Sequence, residues 1–134
     1  MITRGDVVLA HIPYLEGSGL GKRRPVLVVQ NDGHNEKLPH TIVAAITSKL
    51  RNLADPTVHL LDPENSEGQA AGVLMKSLIR CDRLFTIEQR SIDKKIGHLT
   101  YGTMNQVDDC LRAALGLPPQ IPPSLEWPLA KPDA

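Results

Sequence analysis

"GKRRPVLVVQND" (residues 21–32) places three adjacent cations, a proline and four apolar residues in twelve positions. The β-branched run ending in Asn-Asp predicts a strand over 25–30, "PVLVVQ". Pro25 suits its first position, where a residue need not donate to the ladder. Lys22, Arg23 and Arg24 then stand at the strand's entrance. The chain as a whole is neutral, with 15 Lys+Arg against 15 Asp+Glu. It lacks the global positive charge with which proteins grip duplex nucleic acid along many phosphates, so any anion binding must be local.

Outward from this strand, "DVVLAHI" (6–12) predicts another, ending at Pro13. The connection between the two is long and carries glycines at 17, 19 and 21. Downstream, "HTIVAAITS" (40–48), "TVHLL" (57–61) and "GVLMKSLIRCD" (72–82) predict three more strands, and "DPENSEGQAAG" (62–72) a polar surface connection. "RSIDKKIG" (90–97) has the signals of a short helix capped by Ser91 and stopped at Gly97. In "TYGTMNQVDDCLRAALG" (100–116), Met104, Val107, Leu111 and Ala114 or Leu115 recur at helical spacing. Thr103 and Gln106 could form its capping box, and Gly116 is its stop.

Five short strands and a terminal helix imply an α+β fold built on a small β-barrel or half-open barrel. At 134 residues the chain suits one domain, 1–117, followed by a proline-rich tail, 118–134. The tail holds six prolines and the only tryptophan, Trp127, a side chain with little reason to be solvated.

Several function classes recede. Cys81 and Cys110 follow no metal spacing, and two buried, inert thiols are expected. His11, His34, His40, His59 and His98 match no metal motif either. No apolar run reaches the ~18 residues of a membrane span, and the N-terminus has no apolar secretion segment. A reduced, cytoplasmic protein without membrane contact is expected.

The sharpest local signal is "RCD" (80–82). Along a strand, residues i and i+2 share a face, so Arg80 and Asp82 project together while Cys81 points the other way. A structural ion pair on a strand is the plain reading of the two side chains.

"RGDVVLA", "RRPVLVVQND", "IVAAITS", "LIRCDRLFTI" and "IGHLTYGTMNQVDDCLRAALGL" occur in an order and spacing that resembles MazF/PemK-type toxins, over about residues 3–117. The resemblance rests on their agreement in order, since no single piece suffices. It implies an SH3-like barrel of the CcdB/PemK type with a C-terminal helix, a homodimer, no metal or other cofactor, and a cognate antitoxin as partner. The implied activity is sequence-specific cleavage of single-stranded mRNA. The 2′-OH attacks the adjacent phosphate, giving a 2′,3′-cyclic phosphate and a 5′-OH end.

On that resemblance Arg24 stands in the family's "RP" motif and Thr47 and Ser48 in its "TS" pair. Guanidinium groups supply fixed, paired donors where equatorial phosphate oxygens gain charge, and hydroxyls position. The implied catalytic set is Arg24, Thr47, Arg80 and Asp82, with Asp82 as general base and Arg80 acting electrostatically. Lys22, Arg23 and Ser18 around the glycine-rich loop, and Ser48, Lys49 and Arg83 farther on, are the implied RNA contacts. Phe85, the only phenylalanine, is either a stacking platform for a base or a core residue. Where many members carry Glu or His in the first loop this chain has "GSG" (17–19), and the usual "DQ.RT" appears as "DRLFT" (82–86). Both departures bear on which sequence is cut. A CcdB-like inhibitor of DNA gyrase, on the same scaffold but without chemistry, is the rival reading, and a non-cutting RNA-binding barrel is a third.

Overall fold

The opening stretch forms a strand, β2 (Arg23–Val28), that starts two residues earlier than expected. Arg23 and Arg24 therefore lie within the ladder, opposite His11 and Ala10 of β1 (Asp6–His11). Alternation then separates the two arginines: Arg24 shares a face with Val26 and Val28, and Arg23 points the other way. These positions come from a computed structural model that describes residues 1–12 and 23–119.

The remaining elements are α1 (Asp32–Lys37), β3 (His40–Thr47), β4 (Val58–Leu61), α2 (Ser66–Ala71), β5 (Ser77–Glu88), a 3₁₀ turn (Gln89–Ser91), β6 (Ile92–His98) and α3 (Tyr101–Leu115). Six antiparallel strands form one sheet in the order β4-β5-β3-β2-β1-β6. β5 and β6 stand four places apart, about 19 Å in a flat sheet. The chain from Glu88 to Ile92 reaches about 14 Å at full extension, and here it is coiled into the 3₁₀ turn. The sheet must therefore curl, as the small-barrel expectation requires.

Curling creates two cores. On one face Val7, Leu27, Ala44, Ile46, Ile79 and Cys81 meet Met104, Val107 and Cys110 of α3. On the other, Val8, Ala10, Val26, Val28, Val43 and Ile87 pack on one another inside the curl, with Phe85 and Ile92 against them. Successive residues such as Val7 and Val8 are both fully buried because each face has its own core.

"RSIDKKIG" is not a helix. It is the 3₁₀ turn and β6, paired with the edge of β1. Ile92 and Ile96, four apart, fit one side of a helix. Two register shifts against β1 instead bring them to opposite cores, Ile92 inside the curl and Ile96 toward α3. That makes six strands among the described residues rather than the five expected. The connection 62–72 contains α2, capped by Asn65, whose Oδ1 accepts from Gly68 N–H at 3.1 Å. It docks on β6 so closely that a Cβ on Gly72 would lie 2.1 Å from the Ile96 carbonyl oxygen. α1, capped by Asn31, is likewise absent from the sequence-based expectation, and it carries His34. Six-residue helices are too short to show an apolar period.

The last predicted strand is displaced. Residues 72–76 precede β5, Leu74 among them fully in solvent, and the strand runs on to Glu88. For α3 the cap is Thr100, whose Oγ1 accepts from Thr103 N–H, so Thr103 lies in the first turn. Gly116 ends the helix in the left-handed conformation, as expected. Both cysteines are free and buried. Desolvation, with Cys110 beside it, pushes the Cys81 thiol up to about 12, so it stays a thiol at neutral pH.

The buried carboxylate Asp6 closes the start of the sheet. It accepts from Thr3 N–H at 2.8 Å and contacts His98 Nδ1 at 2.7 Å and Lys95 Nζ at 3.1 Å. Burial alone would raise its pKa, but these donors outweigh it and hold the carboxyl below its ordinary value.

Candidate functional site

The face inside the curl ends in an open cavity of about 700 Å³. Apolar residues fill the middle of this face, and polar ones line its mouth. On β2 the row runs from Val28 and Val26 to Arg24; on β3 it runs from Val43 and Ala45 to Thr47. Val26 pairs with Ala45, and continuing that register sets Arg24 opposite Thr47. Ala45 in turn pairs with Arg80 of β5. Three neighbouring strands therefore deliver a guanidinium, a hydroxyl and a second guanidinium to one place, and all three line the cavity.

Asp82 arrives by an interruption of the ladder. The partner of Ala44 is Leu84 and that of Ala45 is Arg80, so Cys81, Asp82 and Arg83 have no counterpart on β3. Cys81 N–H bonds instead to Thr57 O at 3.0 Å. The bulge keeps the Cys81 thiol in the core beneath α3 and lifts Asp82 and Arg83 into the cavity wall.

Arg80 and Asp82 form a two-point pair, Nε–H to Oδ1 at 3.0 Å and Nη2–H to Oδ2 at 2.6 Å. Both side chains keep about a third of their surface in solvent, 33% and 38%, so an incoming anion can reach them. The Arg80 hydrogen bonds hold the Asp82 carboxyl below the ordinary carboxylate value, and Asp82 raises the guanidinium's in return. Thr47 Oγ1 accepts from Lys49 N–H at 3.1 Å. That contact uses an acceptor site of the hydroxyl and leaves its proton for another partner.

The other candidates divide. Lys49 and Arg83 line the cavity. Arg23 pairs with Asp93 of β6, away from it, as alternation from Arg24 requires. Ser48 is exposed beside Thr47 but is not among the lining residues. Phe85 packs against the core inside the curl, the packing alternative for this residue. Ser18, Lys22 and Trp127 lie outside the described residues.

One wall escapes the sequence reading altogether. Arg51, Asn52, Asp55 and Thr57, from the β3–β4 connection, face the cavity too. The only local signal is the turn chemistry of "ADPT" (54–57), which says nothing about where the turn packs.

Among the described residues no group of three His, Cys, Asp or Glu side chains could hold a metal ion. Nor is any described helix long and apolar enough to cross a membrane. The cavity thus offers fixed cations, a donor hydroxyl and two carboxylates around one opening. Such a set can bind a phosphodiester, stabilise charge on its oxygens and move a proton.

Comparison with known proteins agrees with this architecture. A family model described as PemK-like, MazF-like toxin of type II toxin–antitoxin system matches residues 3–115. Among solved structures, the chain resembles an endoribonuclease in complex with its cognate antitoxin from a mycobacterial species. The TM-score is 0.70 at 22% identity, covering 90% of this chain and 100% of that one. Mycobacterium tuberculosis toxin MazF-mt6 matches with TM-score 0.68 at 23% identity, covering 84% and 98%. A MazE-MazF structure from Deinococcus radiodurans matches with TM-score 0.66 at 18% identity, covering 87% and 97%. At these identities the structural likeness establishes a common fold.

Proposed function

The chain belongs to the PemK-like, MazF-like toxin family of type II toxin–antitoxin systems, and on that premise we propose that it is a metal-independent endoribonuclease. It cleaves single-stranded RNA at particular sequences, by attack of a 2′-OH on the neighbouring phosphate. The observation that carries this reading is the convergence of Arg24, Thr47, Arg80 and Asp82 on one cavity from three adjacent strands. Structures similar in fold are named as endoribonucleases, one of them bound to its antitoxin.

In the proposed mechanism the scissile phosphate enters between Arg24 and the Arg80–Asp82 pair. Arg24 and Thr47 donate to its non-bridging oxygens, where negative charge grows as the phosphorus becomes five-coordinate. The phosphate also competes for the Arg80 fork. As one Arg80 N–H turns to the phosphate, one Asp82 oxygen loses its donor and becomes a better base. That oxygen takes the proton of the 2′-OH, the new O–P bond forms, and the bond to the 5′ oxygen breaks with its electron pair on that oxygen, which takes a proton from solvent water to become the 5′-OH. The products are a 2′,3′-cyclic phosphate and a 5′-OH end. Guanidinium groups cannot readily give up a proton, so both arginines act by charge. Lys49 and Arg83 extend the positive lining for the flanking chain. We further propose a homodimer and a cognate antitoxin that covers this cavity, with the tail from Pro118 dispensable for chemistry.

Purified protein incubated with a mixed-sequence RNA in EDTA should yield discrete cuts with cyclic-phosphate and 5′-OH termini. Intact RNA at every salt concentration, or cutting only with added metal, would overturn the proposal. Inhibition of gyrase supercoiling by protein that leaves RNA intact would establish the CcdB-like alternative.

A further inference from the structure

The cavity is far larger than one phosphate group, and its second wall holds a carboxylate fixed in direction. Asp55 sits in a closed turn: its N–H donates to Asn52 O at 2.9 Å, and Val58 N–H, at the start of β4, donates to Asp55 O at 3.3 Å. Its side chain is also held. Oδ1 accepts both Thr57 N–H at 2.8 Å and Thr57 Oγ1–H at 2.6 Å. Two donors saturate that oxygen. Oδ2 has no hydrogen-bond partner or ion pair among the described residues, although Asp55 lines the cavity and lies close enough to Arg80 to feel its charge. A clamped carboxylate with one open oxygen is an acceptor-only group of defined direction.

We infer that Asp55 is a specificity residue, whose open oxygen accepts a hydrogen bond from the exocyclic amino group of a base flanking the scissile phosphate. It therefore favours cytosine over uracil among pyrimidines. Uracil presents a carbonyl oxygen where cytosine presents its amino group, and two acceptors repel. This rests on the nuclease reading and assigns a base subsite to the same cavity. Arg80, on the strand paired with β4 beside this turn, would hold the phosphate, so the base contacted belongs to a nucleotide next to the cut.

The clamp makes the decisive variant Asp55→Asn. The Thr57 donors need an oxygen, so the amide oxygen must take the Oδ1 place and the amide NH2 the open one. An acceptor becomes a donor with almost no change of shape, and the preferred pyrimidine should invert. Short oligo(dC) and oligo(dU) lack the attacking hydroxyl and cannot be cut by this route, so their binding is measured apart from cleavage.

By fluorescence anisotropy at low salt, the native protein should bind oligo(dC) at least about tenfold more tightly than oligo(dU), and Asp55→Asn should reverse the order. Cut sites in a random RNA pool should shift the same way. Equal affinity for the two oligomers, or an unchanged order in a folded Asp55→Asn protein, would overturn the inference. If Asp55→Asn fails to fold, Thr57→Val serves: loss of the clamping hydroxyl should shrink the ratio, and an unchanged ratio would overturn the idea. A native protein that cuts no RNA but keeps the predicted order would refute the nuclease reading and leave the subsite standing.

Discussion

Within β5, residues 79 to 82 alternate between two environments. Ile79 and Cys81 are fully buried beneath α3, whereas Arg80 and Asp82 line an open cavity. The first pair is held by dispersion and exclusion of water, which tolerate no charge. The second is held by a two-point ion pair that keeps solvent access and so remains free to exchange partners. Neighbours in the chain thus carry separate duties, stability on one face and chemistry on the other, because a strand sends successive side chains to opposite sides.

Breaking the cavity side should cost activity without stability. Asp82→Asn is expected to lower kcat about 10²–10⁴-fold, the usual worth of a general base, with an unaltered melting curve. Arg24→Ala should lose about 10²–10³-fold, the usual worth of one charge-stabilising donor, again with native folding. Cleavage at the native rate in either variant would remove that residue from the mechanism.

The helix side should respond in the opposite sense. Ile79→Ala is expected to destabilise the fold by about 2–5 kcal/mol in urea melts, while activity per folded molecule stays native. A fall in that activity comparable to the Arg24 variant's would show that the two faces are not independent.

Acid titration sharpens the comparison further. The Asp82 carboxyl is held below its ordinary value of 3.8 by Arg80, so the anion persists through mildly acidic pH. Activity should then fall only as the pH drops through the lowered value. Asp6 is depressed as well. Its contribution to stability is complete above the ordinary carboxylate value and is lost as the pH falls through the folded-state value. Replacing Arg80 with Gln should move the acid limb of the surviving activity upward toward the ordinary value and leave the acid unfolding due to Asp6 in place. The smallest effect is expected from truncation before Pro118, which should keep the cleavage rate within a few fold.

Some of this is legible in the residues. "PVLVVQ" and "HTIVAAITS" are strands because their branched side chains suit a pleated, buried surface. Gly116 stops α3 because it takes the left-handed conformation without a Cβ clash. The opposed directions of Cys81 and Asp82 are expected from strand alternation, although the bulge is what sets Asp82 in the cavity wall. Arg23 is different: as part of a cationic cluster it promises an anion site, yet its partner is Asp93, seventy residues on, brought within reach because β2 and β6 both flank β1. The spacing of Ile92 and Ile96 fits a helix and a strand equally, and the unpaired edge of β1 chose the strand.

By itself, then, the chain determined the features set by local sterics and periodicity: the first four strands, the helix stop, and which side chains share a face. The tertiary structure alone decided the curl, the bulge that lifts Asp82 and Arg83 out of register, and the turn that brings Asp55 to the rim. Those depend on hydrogen bonds and packing between segments far apart in sequence, whose energy no local window contains.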